Sequence, residues 1–214
     1  MKKHLLFLLI SFVFLYSNKA QAQYVTIPDT NFVAWLNANG FAGCMNGNQM
    51  DTTCGAVVSV ASVDCSYQNI SDLTGIEYFD NLKTLICRSN QLASLPLLPS
   101  SLVNLYCYDN QLTTLPTFPN TLSVLYCQEN QLTNLPTLPN SLIILYCRNN
   151  QLTILPILPS SLKYLDCFSN QLTYLPTLPN SLTDLLCGNN QLTSLPVLPN
   201  SLMNLYCFNN QLSN

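Results

Sequence analysis

The chain has 214 residues, a charged fraction of only 8% and a formal net charge of −3 at pH 7. Soluble domains typically contain roughly 25% charged residues, so neutral polar side chains must keep this chain in solution. Because Lys and Arg are few and scattered, the composition argues against nucleic acid or an anionic membrane as partner, since both select clustered basic residues.

Residues 1–22 are predicted to be a secretory signal peptide, with a basic start, an apolar core over 5–16 and the small-x-small sequence Ala20-Gln21-Ala22 before the cleavage point. The apolar run is too short to cross a bilayer comfortably, so we expect no membrane span after cleavage. Cleavage also removes His4, the only histidine, and leaves four basic residues against ten acidic ones. We therefore expect an exported protein that is extracellular, on the cell surface or in the periplasm.

Residues 23–59 are predicted to form an N-terminal cap. The sequence Ile27-Pro28-Asp29-Thr30, followed by apolar residues at helical spacing, predicts a short helix with Asp29 as N-cap. Cys44 and Cys54 lie in this segment, and in an exported protein they are candidates for a disulfide, with two free thiols as the alternative.

From Leu82 onward the chain repeats with a period of 20, and each unit reads L-x-x-L-x-C-x-x-N-Q-L-x-x-L-P-x-φ-P, where φ is apolar. Apolar residues alternate around each cysteine, which predicts a short strand with one buried face. The paired prolines forbid a helix in the return segment and favour polyproline-like geometry. This period and pattern are typical of leucine-rich repeats.

The predicted fold is therefore a repeat solenoid over 60–214, with parallel β-strands on the concave face, extended polyproline-like segments on the convex face and a short helical N-terminal cap. Residues 60–81 form an irregular first unit, and the last rung is incomplete. One rung cannot bury enough apolar surface to fold alone, so stability must come from its neighbours. The asparagine of each rung is predicted to satisfy backbone groups of adjacent rungs, so replacing Asn150 by Ala should be costly.

These repeats resemble bacterial leucine-rich repeats of the 20-residue class, whose L-P-x-L-P segment is shared by type III secreted effectors. Residues 27–32, with 70–73 and 81–82, are similar to the capped first repeats of internalin-like surface proteins. The resemblance implies the fold strongly and the function weakly, because the family includes adhesins, effectors and proteins with no assigned role. The ligase domain that follows the repeats in some effectors has no counterpart in this sequence, and the unfinished rung at Asn214 leaves open whether the chain is a fragment.

The ladder cysteines, one per rung, are expected to be buried free thiols. Equivalent side chains on adjacent strands lie roughly 4.7–4.9 Å apart, whereas a disulfide requires Cβ atoms about 3.8 Å apart. A column of thiols pointing in one direction also lacks the converging geometry of a tetrahedral zinc site. Residues 46–51 resemble a calcium loop only faintly, because the alternating acidic residues are missing. We expect no metal and no cofactor.

No catalytic residues are predicted, and we expect a protein that is not an enzyme. Without histidine the exported chain has no Ser-His or Cys-His nucleophile. Asp166 and Asp184 fall at nearby positions on consecutive predicted strands and could form a carboxylate pair, but the sequence supplies no cleft around them.

If Leu105 and Cys107 face the core, the positions on either side of each cysteine face outward from the concave sheet. The predicted binding residues in these two rows are Tyr106, Tyr108, Tyr126, Gln128, Tyr146, Arg148, Asp166, Phe168, Tyr206 and Phe208. Exposed aromatic residues with interspersed Arg are typical of recognition surfaces for protein or carbohydrate.

An alternative is that the tyrosines stack across the strands and stabilise the sheet. We expect the concave face to bind an unidentified protein or glycan. The second hypothesis for function is a structural or adhesive spacer within a larger exported protein.

Overall fold

The structure is a computed structural model that describes residues 23–213, and the predicted signal peptide lies outside the described residues. An N-terminal cap precedes a stack of rungs, and nearly all buried apolar side chains belong to one continuous core. The cap contains strands β1 Tyr24–Thr26, β2 Met45–Asn46 and β3 Gln49–Asp51, helices α1 Thr30–Ala38 and α2 Gly55–Ser59, and a 3₁₀ turn over Ala42–Cys44.

The cap covers the first rung with one apolar face of α1. Asp29 caps this helix, as the sequence predicts, because its side chain accepts a hydrogen bond from the N–H of Phe32 at 2.8 Å. Its second carboxylate oxygen accepts from the N–H and hydroxyl of Ser71, 2.7 Å away in each case, so the same residue fastens the cap to the first unit of the solenoid. Strands β1, β3 and β2 form a small antiparallel sheet in that order.

Eight parallel strands form the sheet of the solenoid, in chain order from one end to the other. They are β4 Ser62–Asp64, β5 Thr84–Ile86, β6 Asn104–Tyr106, β7 Val124–Tyr126, β8 Ile144–Tyr146, β9 Tyr164–Asp166, β10 Asp184–Leu186 and β11 Asn204–Tyr206. From β5 onward each residue pairs with the one 20 positions along, for example Leu105 with Leu125. The predicted parallel-strand solenoid is thus confirmed.

The interior of each rung is filled by the repeat leucines and the ladder cysteine. Leu105, Cys107 and Leu112 are fully buried, and the same positions are fully buried in the rungs on either side. The proline-containing return segments between 92 and 200 contain neither helix nor strand apart from the sheet strands already named, so the chain runs back along the convex side without a helix.

The asparagine column joins successive rungs. The Nδ2 of Asn150 donates to the carbonyls of Cys127 at 3.0 Å and Cys147 at 3.1 Å, and its Oδ1 accepts from the N–H of Leu132 at 2.9 Å. The same three bonds recur in the other rungs, so each asparagine holds its own turn and the turn of the preceding rung. A second column, which the sequence analysis did not identify, places a Ser or Thr hydroxyl on a leucine carbonyl of the preceding rung, as Ser141 does to Leu122 at 2.6 Å.

Each 20-residue rung from Leu82 onward also contains one residue in the left-handed backbone region. It is the second residue after the ladder cysteine, with φ between 51° and 57°, and none of these positions is glycine. The affected residues are Ser89, Asp109, Glu129, Asn149, Ser169, Asn189 and Asn209. L-residues pay roughly 1–2 kcal/mol for this conformation, so the turn geometry costs a small amount in every rung.

The cysteines fall into two groups. Cys44 and Cys54 form a disulfide across the cap, with Cα atoms 5.6 Å apart. The eight ladder cysteines are free thiols, of which only Cys207 is partly exposed. Burial raises the pKa of the Cys107 thiol to about 12.

Neither α1 nor α2 has the length needed to cross a bilayer, and the described residues contain no other α-helix.

Candidate functional site

The ten predicted binding residues lie on the sheet side of the solenoid, flanking the buried leucine and cysteine of each strand. The structure does not bring them into one site. Instead it divides them into a stack of tyrosines in the middle rungs and an apolar depression in the last rungs, with a separate cluster around Arg88 near the cap.

The tyrosine stack consists of Tyr106, Tyr126 and Tyr146 on β6, β7 and β8. The ring centroids of the first two are 5.0 Å apart in an edge-on arrangement, and those of the last two are 4.5 Å apart and stacked. Burial and the neighbouring phenols of Tyr146 and Tyr106 raise the pKa of Tyr126. Cross-strand aromatic contacts of this kind stabilise sheets in general, which is the alternative to binding that the sequence analysis left open.

Near the cap, Arg88 joins two aromatic rings. Its guanidinium carbon lies 4.9 Å from the ring centroid of Tyr67 and 5.5 Å from that of Tyr108, and Nη1 donates to the Tyr67 hydroxyl at 2.8 Å. A shallow depression of about 220 Å³ adjoins this cluster. Tyr67 was not among the predicted residues, because the first unit departs from the 20-residue pattern.

Two predicted binding residues are largely covered. Gln128 is 7% exposed and Asp166 is 6% exposed, because each has a shorter side chain than its aromatic and Arg neighbours on the adjoining rungs. Within residues 23–213, the Oε1 of Gln128 has no hydrogen-bond partner. Gln128 therefore offers little area to a ligand, whereas Asp166 still contributes to the lining of a depression in the last rungs.

A depression lies on the concave face across the last rungs and is here called the Gly188 basin. Its volume is about 360 Å³, and it is lined by Arg148, Asp166, Phe168, Leu186, Tyr206 and Phe208. All but Leu186 are predicted binding residues. The rings of Phe168 and Phe208, two strands apart, approach to a centroid distance of 5.5 Å above the intervening Gly188.

Gly188 creates the space that these two rings occupy. A Cβ atom placed on Gly188 would lie 2.8 Å from the ring of Phe168, which is closer than side chains tolerate. Any larger residue at this position would therefore displace the Phe168 ring, which lines the depression. The sequence analysis recorded the glycine in the row after each cysteine but could not reveal this effect.

Charged groups occupy one wall of the basin. Arg148 forms an ion pair with Glu129 at 3.6 Å, with both side chains nearly half exposed. The Oδ1 of Asp166 accepts from the N–H of Phe168 at 3.1 Å, and Oδ2 has no hydrogen-bond partner among residues 23–213. Burial raises the pKa of Asp166, and the backbone hydrogen bond and the positive charge of Arg148 offset only part of this effect.

A third outward row, at the first position of each strand, was left out of the predicted site. Val124 and Ile144 are partly exposed there and Tyr164 is 38% exposed, beside the tyrosine stack. Extending the in-and-out alternation by one residue toward the start of the strand would have found this row.

Asp166 and Asp184, which the sequence analysis considered as a carboxylate pair, do not face one another in the sheet. Asp166 pairs in register with Leu186, and Asp184 pairs with Tyr164. The Asp184 carboxylate accepts hydrogen bonds of 2.6 Å from Thr183 and Asn204.

The sequence matches no family model and no curated protein, but it is similar to several solved structures. YopM from Yersinia enterocolitica WA-314 is 39% identical over 72% of this chain and 34% of that chain, with a TM-score of 0.71. The Shigella effector LRR domain is 34% identical over 72% of this chain and 71% of that chain, with a TM-score of 0.63.

The functional domain of InlJ from Listeria monocytogenes, described as including a cysteine ladder, is 29% identical over 91% of this chain and 50% of that domain, with a TM-score of 0.67. The chain belongs to the bacterial leucine-rich-repeat proteins, as its repeats predicted. It spans about a third of the length of the YopM structure and half that of the InlJ domain.

Proposed function

We propose that this is an exported protein, not an enzyme, and that it binds a protein partner through its concave face. The observation that carries the proposal is the Gly188 basin, an apolar depression with aromatic walls on the outward side of the sheet. Its exposed rings, Tyr206 at 52% and Phe208 at 54%, are of the kind that anchor protein interfaces.

The lining of the basin favours a protein over a carbohydrate. Four of the six lining side chains are aromatic or aliphatic, and only Arg148 and Asp166 carry charge. A glycan needs many polar groups to replace the water on its hydroxyls, and leaving these unpaired is costly. The likeness to effector and internalin repeats supports the same choice, because proteins of this fold are generally protein-binding.

Site-specific photo-crosslinking tests the proposal. A benzophenone amino acid replaces Tyr206 on the concave face or, as the matched control, Tyr174 in a return segment, since both tyrosines are 52% exposed. We expect a discrete adduct from the Tyr206 position in the cells that produce the protein and none from the Tyr174 position. Equal adducts from both positions, or none from either, would contradict concave-face binding.

A structural or adhesive spacer is the second candidate, and the tyrosine stack favours it. If the concave face only stabilises the sheet, the Tyr126→Ala, Tyr146→Ala double variant loses stability and no concave-face adduct forms. Binding by the basin predicts that the same double variant loses stability but retains the adduct at Tyr206.

The N-terminal residue of the purified mature protein tests whether it is exported. Signal cleavage after Ala22 predicts a chain that begins at Gln23, which N-terminal sequencing of the protein from its native cells would reveal. Recovery of the intact N-terminus would contradict export by this route.

A further inference from the structure

The Gly188 basin has the size of a site for one side chain. Its volume of about 360 Å³ lies near the lower end of the roughly 300–1,000 Å³ typical of small-ligand pockets. Leu186, Phe168 and Phe208 supply apolar lining. Such a depression can accept one ring or branched aliphatic group between apolar surfaces.

The backbone does not require glycine at position 188. Gly188 is absent from the residues with positive φ, whereas Gly40, Gly47 and Gly75 all have positive values. The equivalent position in the other rungs carries larger side chains on the same backbone path: Arg88, Tyr108, Gln128, Arg148, Phe168 and Phe208. The effect of glycine in this rung is therefore that the ring of Phe168 can lie directly over the strand.

The charges at the basin favour a cation. The positive charge of Arg148 is shared with Glu129 and offsets only part of the cost of burying the Asp166 carboxylate, which within residues 23–213 accepts one hydrogen bond, from the N–H of Phe168. A buried carboxylate whose charge is only partly compensated costs free energy, and a partner that supplies a further positive charge offsets that cost. The described part of the chain is also acidic overall, which attracts a positively charged segment.

We propose that the Gly188 basin binds an aromatic or branched aliphatic side chain of the partner together with an adjacent cationic group. The apolar group packs against Phe168, Phe208 and Leu186, and the cation pairs with Oδ2 of Asp166. This inference rests on the proposed function and specifies the chemistry that the concave face recognises.

Small probes test this chemistry without knowledge of the partner. Phenethylammonium supplies a ring and a cation, 3-phenylpropionate a ring and an anion, and butylammonium a cation without a ring. Binding to the ¹⁵N-labelled protein is followed at millimolar probe concentrations through the backbone amide of Gly188. This signal is one of only six glycine amides, and its disappearance in Gly188→Ala assigns it.

We expect phenethylammonium to shift the Gly188 signal and to bind about fivefold or more tightly than 3-phenylpropionate, a ratio that one partly buried ion pair supplies. It should also bind more tightly than butylammonium, which has the cation but lacks the ring that packs against the apolar lining. Asp166→Asn should abolish the preference for cation over anion, whereas Asp109→Asn, the same change at another rung, should leave it intact. Gly188→Ala should weaken both ring-containing probes, because it displaces the Phe168 ring that lines the basin. If that variant does not fold, Asp166→Asn still decides the charge preference.

Equal binding of phenethylammonium and 3-phenylpropionate would overturn the proposed cation. Probe-induced shifts confined to other parts of the protein would overturn the site itself. The crosslinking result is independent of both. An adduct at Tyr206 without probe binding refutes only this inference, and probe binding without an adduct refutes only the proposed protein partner.

Discussion

Replacing Asn150 by alanine should destabilise the protein far more than a change at a polar turn residue normally does. The N–H of Leu132 has the Oδ1 of Asn150 as its hydrogen-bond acceptor, and Leu132 is fully buried. The variant therefore leaves a backbone donor without a partner where water cannot easily replace the lost acceptor.

The expected loss of stability follows from the three principal hydrogen bonds of the Asn150 side chain. The carbonyls of Cys127 and Cys147 each keep one donor in the variant, from Asn130 at 3.2 Å and Asn170 at 3.1 Å. The loss is then one orphaned buried N–H, worth about 1–3 kcal/mol, and two ordinary hydrogen bonds at about 0.5–1.5 kcal/mol each. We expect the free energy of unfolding to fall by roughly 2–6 kcal/mol.

Urea unfolding measures the total loss, and hydrogen exchange at the Leu132 amide locates it. The control is Gln151→Ala, the adjacent amide residue, whose exposed side chain makes no hydrogen bond within the described residues. It should change stability by no more than about 0.5 kcal/mol. If Asn150→Ala unfolds at the same urea concentration as Gln151→Ala, and Leu132 remains equally protected from exchange, the asparagine column is not what joins the rungs.

Further variants test other features. Tyr126→Ala should lower the free energy of unfolding by about 1–3 kcal/mol, because it removes two ring contacts from the tyrosine stack. Ser89→Val should cost about 1–2 kcal/mol, because a β-branched residue is strained at positive φ, whereas Ser89→Gly should not destabilise. A thiol reagent should modify Cys207 in the native protein, while the seven buried ladder cysteines react only after unfolding, since burial disfavours their thiolates. Burial raises the pKa of Asp166 above its unfolded value, so the protein loses stability as the pH rises from the unfolded pKa through the folded pKa and the carboxyl ionises. Asp166→Asn should therefore stabilise the protein near pH 7 and have no effect near pH 3.

Each of these variants has an outcome that would contradict its reasoning. Unchanged urea unfolding of Tyr126→Ala would show that the stack does not support the sheet. Tolerance of Ser89→Val would mean that the turn relaxes to another conformation. Rapid labelling of all ladder thiols would show that the core opens easily, and stabilisation by Asp166→Asn at acid pH would mean that lost charge is not the cause.

The fold could be predicted from the sequence because one pattern repeats in register. The alternation around Leu105 and Cys107 sets which face is buried, and the prolines remove the helix from the return segment. The role of Asn150 followed from the same logic, since a turn that recurs in every rung needs the same backbone groups satisfied each time. The N-cap of α1 at Asp29 could also be predicted, because it depends only on residues that are close in the sequence.

The candidate site could be predicted only as rows of residues, because its shape depends on differences between rungs. Gly188 matters through the ring of Phe168 on the previous strand, and the burial of Gln128 and Asp166 depends on the size of their neighbours. Tyr67 belongs to the irregular first unit and has no counterpart in the repeat. Such features need relative positions of side chains, which a period alone does not supply.

The hydrogen bonds of the asparagine column run from each rung to the rung before it. Asn150 bonds to the Cys147 carbonyl in its own rung and to the Cys127 carbonyl and Leu132 N–H in the rung before it. The asparagine of the following rung, Asn170, bonds to the rung of Asn150 in the same way. A duplicated 20-residue unit thus contains the asparagine that bonds to the rung before it. Its strand also leaves an unpaired edge with which the strand of the next copy can pair. The gene can therefore lengthen or shorten by whole repeats without any compensating change, while the outward rows are left free to diverge into new surfaces such as the one around Gly188.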